Sequence, residues 1–114
     1  MTNHQRVAVS IVMAALAAVS LAFYLQYAYQ AGCAADLKTG ASGDFDQAFA
    51  YSRKAFRYYL TGLLAGAAAI LSLPLGDREA RIACAIAFVL AGGVAAWFAG
   101  FFMESAGMQA CLAP

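Results

Sequence analysis

The chain has 114 residues, of which 64% are hydrophobic and 11% charged, against roughly 45–50% and 25% in soluble domains. That balance excludes a soluble globular protein and leaves an integral membrane protein, short enough to form one domain over residues 1–114. Seven basic and six acidic residues give a net charge of +1, scattered rather than massed, so no nucleic-acid partner is implied.

Residues 1–6 are polar and carry His4 and Arg6. The uncharged run that follows, residues 7–29, is longer than the roughly 7–15 residues of a signal-peptide core, and it predicts a retained first transmembrane helix. Gln30-Ala31-Gly32-Cys33 resembles a bacterial lipoprotein processing site, except that Gln30 stands where such sites carry an aliphatic residue. Ser10, Ala14, Ala18 and Ala22 recur every fourth residue as a small stripe, and Val12, Leu16, Val19 and Phe23 form a bulky one roughly opposite, at about 100° per residue. The small stripe, with Ala14 and Ala18 at its centre, is the expected helix-packing face. Aromatic residues Phe23, Tyr24, Tyr27 and Tyr29 gather at the far end of the helix.

Residues 30–57 are read as the extramembrane connection. Within it Thr39, Gly40, Ala41, Ser42 and Gly43 are turn formers. Asp44, with Gln47 three residues on, has the spacing of a capping box that opens a helix. Phe45, Phe49 and Phe56 keep helical spacing on one side, while Asp46, Arg53, Lys54 and Arg57 are polar. This is expected to be an amphipathic helix, either on the membrane surface or leading into the second span.

The second span is residues 58–75, with Gly62 and Gly66 as a GxxxG pair and Leu60, Leu64 and Leu71 facing away. Pro74 and Gly76 close it, and Asp77 is placed to cap the next helix. So short a turn makes spans two and three an antiparallel hairpin. The third span, residues 82–103, is uncharged and long enough at about 1.5 Å per residue to cross a hydrocarbon layer about 30 Å thick. Gly92, Ala96 and Gly100 recur every fourth residue, opposite Leu90, Val94, Trp97 and Phe101. Small-xxx-small faces are how helices associate in lipid, where hydrophobic drive between them is weak. The fold expected is therefore all-α, with three transmembrane helices meeting along glycine- and alanine-lined sides.

Three spans put the termini on opposite sides of the membrane. Arg6, Arg78 and Arg81 lie on one side and Lys38, Arg53, Lys54 and Arg57 on the other, so the positive-inside count is indecisive. Cys33 and Cys111 both fall on the second side, where a disulfide between them would suit an oxidising compartment such as the bacterial periplasm. On that ground the expected location is a bacterial inner membrane, N-terminus cytoplasmic and C-terminus periplasmic. Cys84, inside the third span, reads as a small packing residue. The aromatics also crowd towards the Cys33 side, which marks Tyr27, Phe49, Phe56, Tyr59, Trp97 and Phe101 as a candidate partner or lipid surface.

Chemistry is constrained by what is missing. No Asp, Glu, Lys, Arg or His falls within the hydrocarbon part of a span, whereas proton relays and coupled transporters normally place such groups there. His4 is the single histidine and lies outside the membrane core, which disfavours haem or chlorin ligation. No redox Cys-x-x-Cys, zinc-ligand spacing or phosphate loop is present, and the soft-sulfur set Met103, Met108, Cys111 and Cys33 is more simply read as span end, tail and disulfide than as a Cu(I) site. No catalytic residue, cofactor or metal is assigned. The expected function is a non-catalytic accessory or stabilising subunit of a larger membrane complex, surrounded by lipid and other integral membrane subunits, with a homo-oligomer as a further assembly. The alternative is a self-assembling small channel. In length and number of spans the chain resembles phage holins, although those usually end in a charged basic tail and this one ends in Gln109-Ala110-Cys111-Leu112-Ala113-Pro114.

Overall fold

The computed structural model describes residues 2–34, 45–74 and 76–112. They form α1 (Asn3–Ala34), α2 (Phe45–Ser72), α3 (Arg78–Ala87), a π-helical turn (Phe88–Gly92) and α4 (Gly93–Leu112). The last three run on without a break as one span, so the molecule is an up-down-up bundle of three membrane-crossing helices, 59 × 21 × 21 Å. The amphipathic segment is the start of α2 itself, continuous with the second span rather than a separate surface helix. The turn formers 39–43, Asp44 and the side chains of Gln47 and Cys111 lie outside what the structure describes.

The helix ends follow local chemistry. Thr2 Oγ1 accepts from the Gln5 N–H at 3.3 Å and Gln5 Oε1 accepts from the Thr2 N–H at 3.1 Å, a reciprocal capping box at the start of α1. At the hairpin, Gly76 takes φ +70°, a backbone region that favours glycine. Asp77 then caps α3 as its position predicts, its Oδ1 accepting from the Ala80 N–H at 2.8 Å. Arg81 reaches back and donates from Nη1 to the carbonyls of Leu71 (3.2 Å) and Leu73 (3.0 Å). A cation thus closes the carbonyl end of α2, where the helix dipole favours positive charge.

The seams between helices carry a seven-residue repeat along their length. On α1 Ser10, Ala17, Tyr24 and Ala31 are buried, flanked by Ser20, Ala28 and Gly32. On α2 Ala55, Gly62 and Ala69 are buried, flanked by Leu63, Ala65 and Gly66, and on α4 Gly93, Gly100 and Gly107. The reason is angular. Seven residues fall only about 20° short of two turns, so a seven-residue repeat stays on one face of a gently supercoiled bundle. A four-residue repeat overshoots by about 40° per step and winds away. Ala14 and Ala18 are accordingly exposed on the outside of the bundle, and the seam passes through Ala17 instead.

The π turn is what keeps the third span in phase. Ala85 and Gly93 are both buried but eight residues apart, one more than the repeat allows. An i→i+5 turn takes in the extra residue and returns Gly93, Gly100 and Gly107 to the face that holds Ala85. Within that turn Phe88 lies against Gly66 of α2, where an added Cβ would come within 2.5 Å of two ring carbons. Gly92 sits beside the same ring, where an added Cβ would stand at an ordinary 3.6 Å, so this glycine is required neither by Phe88 nor by another helix. Gly62 makes room for Leu21 of α1, at 2.8 Å from the position of an added Cβ.

Among the described residues, the hydroxyls of Ser10, Tyr24 and Tyr59 tie the helices across their seams. Ser10 Oγ donates to the carbonyl of Ala69, the Tyr24 hydroxyl to that of Ala96 and the Tyr59 hydroxyl to that of Gly93, each at 2.8 Å. In lipid such bonds average about 0.6 kcal/mol, so packing carries more of the stability than they do. Closest approach occurs towards the Cys33 end. There a Cβ at Gly32 would overlap the Glu104 carbonyl oxygen, one at Gly107 the Tyr29 carbonyl oxygen, and one at Gly100 the Tyr24 hydroxyl.

Candidate functional site: a lateral aromatic cleft

α1 packs along both neighbours, whereas α2 packs on α3 and the π turn and diverges from α4. Divergence opens a cleft of about 310 Å³ between α2 and α4, floored by Ala28 and Ala31 of α1. Its walls are Phe56 and Tyr59 from α2 and Trp97 and Phe101 from α4, with Tyr24 at the base and Glu104 and Ser52 towards the extramembrane end. The small floor residues exist because α1 must approach α4 closely. The cleft is thus a by-product of the seam that brings Gly100 and Gly107 against α1.

Its rings form a connected set. Tyr59 is the hub, 5.2 Å from Tyr24 (55° between planes), 6.2 Å from Phe56 (22°) and 6.1 Å from Trp97 (71°, edge-on). Both tyrosine hydroxyls are turned into helix carbonyls of the third span, which pins these two rings, while Phe56, Trp97 and Phe101 on the walls stay exposed. Among the described residues Glu104 is the one charged side chain lining the cleft.

On the other side of the α1–α2 seam a second ladder of rings is satisfied internally. Tyr27 stacks on Tyr58 at 5.5 Å and 6° and on Tyr51 at 6.1 Å, Phe23 stacks on Tyr58 at 5.3 Å, and Lys54 Nζ lies 5.6 Å from the Tyr27 ring centroid. Offset stacks of this kind are worth about 0.5–1.5 kcal/mol each beyond their buried area. Of the six residues marked as a candidate surface, Tyr27 and Tyr59 are therefore engaged within the chain. Phe49, Phe56, Trp97 and Phe101 are exposed, at 65%, 50%, 59% and 62%.

The predicted packing positions divide similarly. Gly62, Gly66 and Gly100 are buried between helices, and Ala96 contributes its carbonyl to the Tyr24 hydroxyl. Ala14, Ala18 and Gly92 make no comparable contact with another helix. Cys84 is a free, exposed thiol rather than a packing residue, because it lies beside Ala85 on the side facing away from the seam. Cys33 lies where α1 meets α4, its backbone nitrogen 3.2 Å from the place of a Gly107 Cβ. Among the described residues no group of three or more His, Cys, Asp or Glu gathers as metal ligands. At the opposite end of the bundle, Arg6, Arg78 and Arg81 surround Leu71 and Ile82.

Sequence reasoning missed Glu104 as a cleft residue, the seven-residue glycine repeat and the π turn. The repeat was available: Gly93, Gly100 and Gly107 stand seven apart, but Gly92-Ala96-Gly100 offers a competing spacing that looks as regular. Fold and cleft together define an integral membrane protein built as a three-helix bundle. No family model, curated protein or solved structure matches the chain.

Proposed function

We propose that the chain is a non-catalytic accessory or stabilising subunit of a larger membrane protein complex, acting through helix-helix packing. The observation that carries this reading is where bulk remains uncovered once the three seams are closed. Phe49, Phe56, Trp97, Phe98, Phe101 and Phe102 are all exposed, and all belong to the half of the bundle nearer Cys33. An aromatic belt that merely anchors a protein is expected at both interfaces, so a one-sided cluster favours contact with another protein. Val12, Leu16, Val19, Leu64 and Leu90 extend that uncovered surface along the bundle.

The self-assembling channel has less support. A pore needs a polar stripe, and the buried polar side chains among the described residues are Ser10 and Ser20, the first of which already donates to Ala69. Orientation is proposed as N-terminus cytoplasmic and C-terminus periplasmic in a bacterial inner membrane, with Cys33 and Cys111 bonded at the oxidising face. In support, Cys33 lies where α1 meets α4, its backbone nitrogen 3.2 Å from the place of a Gly107 Cβ, and Cys111 stands one helical turn beyond Gly107.

Purification from the native membrane in mild detergent, followed by mass spectrometry, tests the assignment. Foreign membrane subunits in stoichiometric amounts are expected. Recovery of copies of this chain alone would transfer the case to the channel, and a lone monomer would overturn both. For the disulfide, maleimide labelling before and after reduction should add two thiols to the one at Cys84.

A further inference from the structure

We infer that the cleft between α2 and α4 is a binding site for a lipophilic cation, an ammonium group carried on a single apolar body. Three features converge on that class. The volume, about 310 Å³, is at the lower end of the range for small-molecule pockets, roughly 300–1,000 Å³. The walls are aromatic, and ring faces attract ammonium groups while accepting hydrocarbon. Among the described residues Glu104 supplies the sole formal charge, with no basic side chain on the lining to neutralise it. Because Tyr24 and Tyr59 are held by their hydroxyl bonds to Ala96 and Gly93, the box is formed before the ligand arrives and little ordering cost attends binding.

Access is lateral. The gap lies between two membrane helices, so a ligand dissolved in the bilayer reaches it without crossing water. A zwitterionic phospholipid also presents an amine, but its phosphate would be brought near Glu104 with no cationic side chain on the lining to receive it. The occupant is therefore a monocation without a phosphate. Phe56, Trp97 and Phe101 also belong to the uncovered surface proposed to meet another subunit, so binding is read on the chain purified by itself.

The test uses the full chain purified in a neutral maltoside detergent and the fluorescence of Trp97, its single tryptophan. Dodecyltrimethylammonium should change the emission saturably, whereas the uncharged dodecyldimethylamine oxide should bind at least about tenfold more weakly. Glu104→Gln should weaken the cation by roughly tenfold or more, as expected for loss of a charge-assisted contact, and leave the amine oxide unchanged. Ser52→Leu, at an exposed position on the rim, should block both without touching a seam, which keeps the test decisive if the Glu104 variant unfolds. Equal affinity for the two ligands, an unaltered response in both variants, or displacement of the cation by phosphatidylethanolamine at equal mole fraction would overturn the assignment.

Discussion

Gly66 and Phe88 allow the packing account to be tested quantitatively. In Gly66→Ala the new methyl would stand 2.5 Å from two carbons of the Phe88 ring. Ordinary carbon contacts are about 3.5–4.0 Å, so the ring must withdraw by about 1 Å. Overpacking of this size costs about 1–3 kcal/mol. Against it stands the gain of about 1 kcal/mol for alanine over glycine in a helix interior, leaving a net loss of up to about 2 kcal/mol. In a Phe88→Leu background the ring is absent, and the same Gly66→Ala change should become neutral or stabilising. The propensity gain is common to both backgrounds and cancels, so the coupling energy is the overpacking cost itself, about 1–3 kcal/mol, within the range for residues in contact. Unfolding of the reconstituted chain by dodecyl sulfate in mixed micelles, followed by circular dichroism, measures all four corners of the cycle. A Gly66→Ala penalty that is the same with and without the Phe88 ring would show that the glycine does not serve that contact, and the account of the π turn would fall with it.

The seven-residue seam separates two neighbouring alanines. Ala17→Leu should cost about 1–3 kcal/mol by overpacking against α2, while Ala14→Leu on the lipid face should stay within about 0.5 kcal/mol of the parent; equal costs in the same unfolding assay would contradict the seam. Gly32→Ala and Gly107→Ala meet main chain, which cannot withdraw as a ring can, so each should destabilise by more than Gly66→Ala and speed amide exchange over residues 29–33. Asp77→Ala removes the cap of α3 and should cost about 1 kcal/mol, with faster exchange confined to the first turn, residues 78–81.

How far the fold was legible follows from the kind of signal each feature leaves. Three long apolar runs are unmistakable in a chain with 11% charge, because a bilayer accepts little else across its hydrocarbon. Asp77 and Gly76 were legible too, since capping depends on side chains only three residues away. The partition of small residues was harder. Ser10-Ala14-Ala18-Ala22 and Ser10-Ala17-Tyr24-Ala31 are both regular along the sequence, and spacing alone does not choose between a crossing at one point and a seam that follows the whole helix. Tyr24 is bulky, so its place in a seam of small residues is understood only beside Gly100, the residue that leaves it room.

Sequence alone decided that this is a three-span membrane protein with one crowded aromatic end and an uncharged interior, because transfer to lipid depends on composition and run length, which are properties of each segment by itself. Tertiary structure decided which alanines and glycines meet, where the extra residue of the third span is absorbed, and that Glu104 shares a cleft with Tyr24, Tyr59 and Trp97. Those outcomes depend on the phase of one helix relative to another, and phase is set by mutual fit at the contact. A pattern read along a single helix does not contain it.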